Sequence, residues 1–126
     1  EDCGRSLNEA IDIGQIEGGF VQGLGWLTCE ELYFNNSGKL LTIGPSTYKI
    51  PGSRDVPSEF HVKLLENTFN EEKTIFRSKA VGEPPLLLAI SHFLALKNAL
   101  SSVSKSSDKL SLNVPVTPTE LLKAIN

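Results

Sequence analysis

Apolar residues at Ile13, Ile16, Phe20, Leu24 and Leu27 recur at three- and four-residue intervals, the spacing of one helix face. They predict a helix over residues 10–32, following a polar loop at 1–9. A β-hairpin is predicted next, with Tyr33-Phe34 and residues 39–43 as its arms and Asn35-Asn36-Ser37-Gly38 as its turn. Pro45, Pro51, Gly52 and Pro57 punctuate an irregular connection. Residues 60–65 and 73–76 alternate like strands, and 78–83 read as a loop. From Pro84 to Leu100 apolar side chains cover nearly the whole helical circumference, interrupted only by Ser91, His92, Lys97 and Asn98. A helix apolar all round is expected to be buried on all sides. A serine-rich surface loop over 101–109 and a short strand at 110–112 follow. Thr117-Pro118-Thr119-Glu120 then has the form of a capping box that starts a short helix through Leu121, Leu122 and Ile125. The element order indicates an α+β architecture within residues 1–126, one domain's worth of chain at most. A domain of this size seldom has the body to bury the 84–100 helix completely. The chain is therefore expected to belong to something larger, and its opening at Glu1 without Met is expected to reflect excision.

Composition narrows the class without choosing a function. Twelve basic and fifteen acidic residues leave a net charge of −3. That balance, with no basic stripe, argues against nucleic acid and against a polybasic membrane surface. No apolar run approaches the length that spans a bilayer. Cys3 and Cys29 lie outside any metal-ligand or CxxC spacing and are expected to be reduced thiols. His61 and His92 lack a visible orienting partner and are expected to be packed or surface residues rather than catalytic ones.

Two stretches carry candidate chemistry. Gly14, Gly18, Gly19, Gly23 and Gly25 crowd the first helix, where each costs about 1 kcal/mol against Ala. Such density is tolerable where another backbone or a ligand comes very close. Gln15 and Gln22, seven residues apart on one face, add neutral amides that can donate to an oxygen ligand. The pattern fits tight helix packing and fits a ligand site. The second stretch is Lys79-Ala80-Val81-Gly82-Glu83-Pro84-Pro85-Leu86. Pro84 biases Glu83 toward extended dihedrals, which would hold its carboxylate at a loop–helix junction, and Gly82 permits close approach of a ligand. An acidic residue complementing a helix dipole is the competing account, weakened because Glu is a poor N-cap.

Together with these, residues 2–8, residues 12–25 (Asp12-Ile13-Gly14-Gln15 onward), Gly44-Pro45-Ser46-Thr47-Tyr48-Lys49-Ile50-Pro51 and residues 78–86 occur in the same order in xanthine dehydrogenases. The chain resembles that molybdenum hydroxylase family over essentially its full length. The resemblance implies the carboxy-terminal part of a molybdopterin-binding domain, with Glu83 of the GEPP motif as catalytic base and no direct molybdenum ligand. Gln15 would hydrogen-bond an oxygen of the molybdenum–molybdopterin cofactor, and Gly14 would let the helix approach it. The implied reaction is hydroxylation of hypoxanthine and xanthine to urate. Electrons would leave through 2Fe-2S clusters and FAD to NAD, in parts of the polypeptide outside these 126 residues. The resemblance further implies a purine substrate, a homodimer and a cytoplasmic or peroxisomal location. The 126 residues alone are then expected to be inactive. An aldehyde oxidase of the same family, or a non-catalytic scaffold that has kept the fold, are the alternatives; retention of both Gln15 and Glu83 favours the enzyme. Two departures from the family pattern stand out: Glu9 replaces a usual Pro in what is expected to be a loop, and His92 replaces a usual apolar residue.

Overall fold

A computed structural model describes residues 2–66, 69–103 and 111–125. Its organising element is helix α1, Glu9–Thr28. Asn8 has extended dihedrals and caps α1, its Oδ1 accepting from the Ile11 amide at 3.3 Å. Glu9 and Asp12 occupy the first turn, where carboxylates complement the positive end of the helix dipole. Glu9 is thus a first helical residue rather than a loop residue. Pro and Glu both suit that position, because an N–H there has no intrahelical partner. The helix ends where the amides of Cys29 and Glu30 both turn back to the Gly25 carbonyl, at 2.9 and 3.0 Å.

The segment after Glu83 is not one long α-helix. Pro84–Ala89 form a 3₁₀ helix, and α2 begins only at Ile90 and runs to Ser101. Two consecutive prolines supply no amide donors, which delays the regular α ladder. The chain by itself does not bury this segment on all sides, as expected for a domain of its size: Pro85, Ala89 and Leu100 are buried, but Leu87, Leu88, Ile90 and Leu94 are exposed. Within the described chain α1 packs along one face of this segment and α3 touches α2, while these four side chains stay open.

The contact of this segment with α1 explains two of the helix's five glycines, and Pro51 explains a third. At Gly23 an added Cβ would overlap the Leu86 carbonyl oxygen and crowd the Ala89 side chain. At Gly19 it would stand 2.9 Å from Pro85 Cβ and 3.3 Å from the Leu86 amide nitrogen. At Gly25 it would overlap the Pro51 ring. Gly14 and Gly18, in contrast, face open space.

The β content falls short of the α+β expectation. Among the described residues the only β pairings are isolated bridges, Gly4 with Ser78 and Phe34 with Leu40. The second closes the predicted hairpin tip, where Asn35 Oδ1 accepts from the amides of Ser37 and Lys39 at 3.0 and 2.9 Å. Residues 60–65 alternate between half-buried and exposed, as predicted, but form no strand among the described residues. Phe60 uses that alternation to stack on Phe20 of α1, ring centroids 5.2 Å apart. The strand expected at 73–76 is instead a turn that leads into a 3₁₀ segment, Ile75–Arg77. Of the serine-rich loop and the strand at 110–112, residues 104–110 lie outside the described residues.

At the carboxy-terminal end the Val116 amide donates to the Leu27 carbonyl at 2.6 Å, fastening this segment to the end of α1. Helix α3, Pro118–Ile125, starts at Thr117, whose Oγ1 accepts from the Glu120 amide at 3.3 Å. Only this half of the capping box forms. The Glu120 carboxylate turns outward to Lys123 and Asn113 at 2.7 and 3.2 Å.

The chain before α1 runs beside residues 77–79. The Arg5 amide donates to the Arg77 carbonyl and the Lys79 amide to the Cys3 carbonyl, both at 2.8 Å. An ion pair between Asp2 and Lys79 closes the edge. The Asp2 carboxyl is held below its ordinary value by the hydrogen bond from Lys79 and then by that from the Gly4 amide. Cys3 and Cys29 are both free.

Two outcomes follow from this packing. Gly23→Ala should lower the unfolding free energy by about 1–3 kcal/mol through overpacking, while Gly18→Ala should raise it by up to about 1 kcal/mol through helix propensity. Urea unfolding of the two variants checks the opposite signs, and destabilisation by both would refute the assignment of the glycines. Asp2→Asn should lower the melting temperature at neutral pH. Because the folded-state carboxyl is the stronger acid, its contribution is present above the unfolded value of about 3.9 and is lost as pH falls through the lower folded value. The difference between variant and parent should therefore vanish in strong acid, and a difference that persists there would show that charge is not the cause.

Candidate active site

The contacts between α1 and the 3₁₀ segment have a parallel register. Gly23 meets Leu86 and Ala89, and Gly19, one turn earlier, meets Pro85 and Leu86. One further turn toward the start of α1, about 6 Å along its axis, is the level of Gln15. In the same direction the facing strand of chain continues from Pro85 to Pro84 and Glu83. The register thus carries Gln15 and Glu83 to the same end of the α1 contact, although each belongs to a different element.

Glu83 itself departs from expectation in one respect. Its dihedrals, φ −72° and ψ −31°, are helical rather than extended. The Leu86 amide donates to the Glu83 carbonyl at 3.0 Å, so Glu83 acts as the first backbone acceptor of the 3₁₀ turn, and that bond overrides the bias from Pro84. Its side chain makes no capping hydrogen bond and is exposed. The carboxylate has no hydrogen-bond or ion-pair partner among the described residues, so it stands at the N-cap position without capping the helix by a side-chain bond. Gly82 before it has φ +22° and nothing within 4 Å of an added Cβ, so the approach to Glu83 is open. On either side the backbone is fixed: Val81 is buried, and Pro85 is fully buried against α1.

On α1, Gly14 and Gln15 are exposed, and so are Gly18, Gln22 and Trp26. These positions share one flank of the helix at 3.6 residues per turn, adjacent to the flank that packs on Pro85. The glycines leave that flank bare, and the two glutamine amides project from it. Its carboxy-terminal stretch is concave: Gln22, Trp26, Glu30 and Leu86 line a space of about 350 Å³. That space does not extend to Gln15 or Glu83.

Toward a metal-bearing cofactor, the donor set is an amide and a carboxylate. Among the described residues no group of three or more His, Cys, Asp or Glu side chains converges. What the chain offers is hydrogen bonding from Gln15, room at Gly14 and Gly18, and an unpartnered carboxylate at Glu83. These suit a cofactor that carries its own ligands to the metal. His61 is exposed and His92 half-buried, and neither is part of this arrangement.

Sequence patterns did not point to two residues that shape this region. Asn70 is buried within what reads as a polar turn, and Gly4, at φ +62°, lies in what reads as a loop. Nothing in the sequence around Asn70 distinguishes it from an ordinary turn residue, and Gly4, although within the stretch 2–8 that carries the resemblance, has no neighbour in sequence that marks its positive φ.

Residues 1–57 match the family model of the molybdopterin cofactor-binding domain, a span that contains Gly14 and Gln15 and stops short of Glu83. The chain is 52% identical to the xanthine dehydrogenase/oxidase of Felis catus over 98% of its own length and 10% of that protein. It is 55% identical to the xanthine dehydrogenase of Blastobotrys adeninivorans over 79% of its length and 7% of that protein. Among solved structures, a Cu,Mo-containing CO dehydrogenase in its carbon monoxide-reduced state superposes with a TM-score of 0.72 over 98% of this chain and 15% of its own, at 20% identity. That likeness concerns the fold. The chain spans about a tenth of the length of the curated relatives it matches. With identity of about one residue in two sustained across nearly all of its length, the chain is homologous to a segment of the xanthine dehydrogenase/oxidase proteins, and its first 57 residues match the molybdopterin cofactor-binding type of domain.

Proposed function

We propose that this chain is the carboxy-terminal part of the molybdopterin domain of a xanthine dehydrogenase, and that Glu83 is the general base for purine hydroxylation. The observation that supports it best is the state of the Glu83 carboxylate. It is unpartnered among the described residues and open to solvent, yet its backbone is held between two buried neighbours, Val81 and Pro85. A base needs a free lone pair at a fixed place, and this is what the junction provides.

Molybdenum–molybdopterin, when bound, supplies the redox and oxygen-transfer chemistry. The chain's residues do the rest of what this portion contributes. The Gln15 amide donates to an oxygen of the cofactor, with no change in local charge. Gly14 keeps that flank of α1 bare so that the helix can come close. Glu83 removes a proton during attack on the electron-poor purine carbon. General-base assistance of this kind is worth about 10²- to 10⁴-fold in rate.

The 2Fe-2S clusters, FAD and NAD that would carry electrons onward belong to other parts of the polypeptide. So do the remaining residues that would line the purine site. The exposed apolar faces of Leu87, Leu88, Ile90 and Leu94 are where those other parts would pack. Homodimer formation and a cytoplasmic or peroxisomal location complete the proposal.

In the complete enzyme, Glu83→Ala should lower kcat for xanthine by at least about 100-fold while molybdenum content stays at the parent level. Steady-state kinetics alongside metal analysis decides it, and a kcat within a few-fold of the parent would refute the role. Gly14→Ala should show opposite signs in two measurements. The substitution should raise helix stability by up to about 1 kcal/mol and yet lower the molybdenum retained per protein. Unchanged retention would show that the cofactor does not approach this flank.

A further inference from the structure

Between Asn70 and Lys79 the backbone does something unusual. Phe76 and Arg77 are consecutive non-glycine residues with positive φ, 51° and 60°. Side chains rarely adopt this region, and such conformations persist where the surroundings over-determine them. Packing does not hold them here, because both side chains are exposed. Hydrogen bonds do. Asn70 is the one buried polar side chain among the described residues, 4% exposed. Its Nδ2 donates to the Arg77 carbonyl at 3.2 Å and to Thr74 Oγ1 at 3.0 Å, and its Oδ1 accepts from the Glu72 amide at 3.1 Å. Arg77 returns the contact, its Nη1 donating to the Asn70 carbonyl at 2.8 Å.

The Arg77 carbonyl is shared. It also accepts from the Arg5 amide at 2.8 Å, within the bridge of Gly4 to Ser78. Gly4 has φ +62°, and a Cβ there would overlap that same carbonyl oxygen. Asn70 and the Gly4 segment therefore grip one peptide group from two sides. The chain leaving this grip runs through Lys79 and buried Val81 to Glu83, and is caught again at Pro85 by α1. The loop that carries Glu83 is thus fixed at both ends, and Asn70 shares the upstream end with the contacts from Arg5, Cys3 and Asp2.

Resting on the proposed role of Glu83, we infer that Asn70, with Gly4 opposite it, is a positioning residue that sets where the Glu83 carboxylate stands. Asn70 reaches the reaction only through the Arg77 peptide and the 78–83 loop. Misplacement of a reacting group by about 1 Å can cost on the order of 100-fold in rate, so releasing one end of a loop this short is felt in turnover.

The test uses the complete enzyme with three substitutions. Asn70→Asp keeps the shape but removes the amide donor to Arg77. Gly4→Ala attacks the same peptide from the other side and keeps the question open to measurement where Asn70→Asp does not fold. Glu83→Gln tests the underlying role. Asn70→Asp and Gly4→Ala should each lower kcat per bound molybdenum by about 10- to 100-fold, with KM for xanthine changed less than about threefold. Hydrogen exchange should quicken in peptides covering residues 78–86 and stay at the parent level in α1. A merely structural role would instead lower molybdenum content and activity in proportion, leaving kcat per molybdenum intact, and that result overturns the inference. So does faster exchange in the loop without loss of turnover. Normal kcat in Glu83→Gln would remove the base role itself. A dead Glu83→Gln beside fully active Asn70→Asp and Gly4→Ala would remove only the positioning inference.

Discussion

The backbone of α1 touches the backbone of the 3₁₀ segment at Gly19 and Gly23, and most of the structure depends on that contact. A Cβ at either position would push Pro85 and Leu86 away. Separation there would uncover Pro85 and Ala89, two of the few fully protected residues. It would also free the downstream end of the loop that carries Glu83. Backbone contact of this kind has little slack, because neither side has a flexible side chain that could take up a displacement. The cost is helix propensity, about 1 kcal/mol for each glycine, and the gain is a fixed register between two elements far apart in sequence.

That register accounts for how a chain with a modest core can present two polar groups in defined places. The buried set is small: Leu24, Leu27, Val81, Ala89, Leu100 and Val116 with Pro85. It lies along the contact line of α1 with the 3₁₀ segment and with the strap around Val116. Large apolar side chains elsewhere, such as Ile43 at 77% and Leu65 at 83%, are exposed. On α1 burial is thus concentrated at Gly23, Leu24, Gly25 and Leu27, toward its carboxy-terminal end, with Val81 and Pro85 buried on either side of Glu83, and the periphery presents apolar surface of the kind that needs a further partner to bury it.

How much of this was legible in sequence varied with the kind of force involved. Five glycines in one helix announced a close approach, because nothing else offsets their cost. Which of them touched a neighbour was not legible, since Gly14 and Gly19 differ only in what lies opposite. Alternation over residues 60–65 was a true report of one-sided burial, and Phe60 does pack on Phe20. It was not a report of strand pairing, which requires a partner with free backbone groups. The apolar run after Pro84 was likewise a true measure of hydrophobicity, but the sequence could not say how many of its neighbours belong to this chain. The proline rule for Glu83 failed because a single bond from the Leu86 amide outweighed it. Asn70 was illegible altogether: a buried asparagine in a turn looks like any exposed one until its partners are known.

In the role proposed for it, the Glu83 carboxylate illustrates that fixed position and burial are separate requirements for a base. Burying a carboxylate penalises its charged form, whereas pairing it with a cation or an amide occupies the lone pairs it would use. Either would spoil a base if carried too far. Here the neighbours are buried in place of the residue itself. Val81 and Pro85 take the apolar contacts, the Glu83 carbonyl accepts the Leu86 amide, and the side-chain oxygens are left free. Constraint is applied through the main chain on both sides, and the reactive atoms carry none of it. A cofactor and substrate arriving from the open side would then meet a carboxylate already in place, whose final environment they themselves complete.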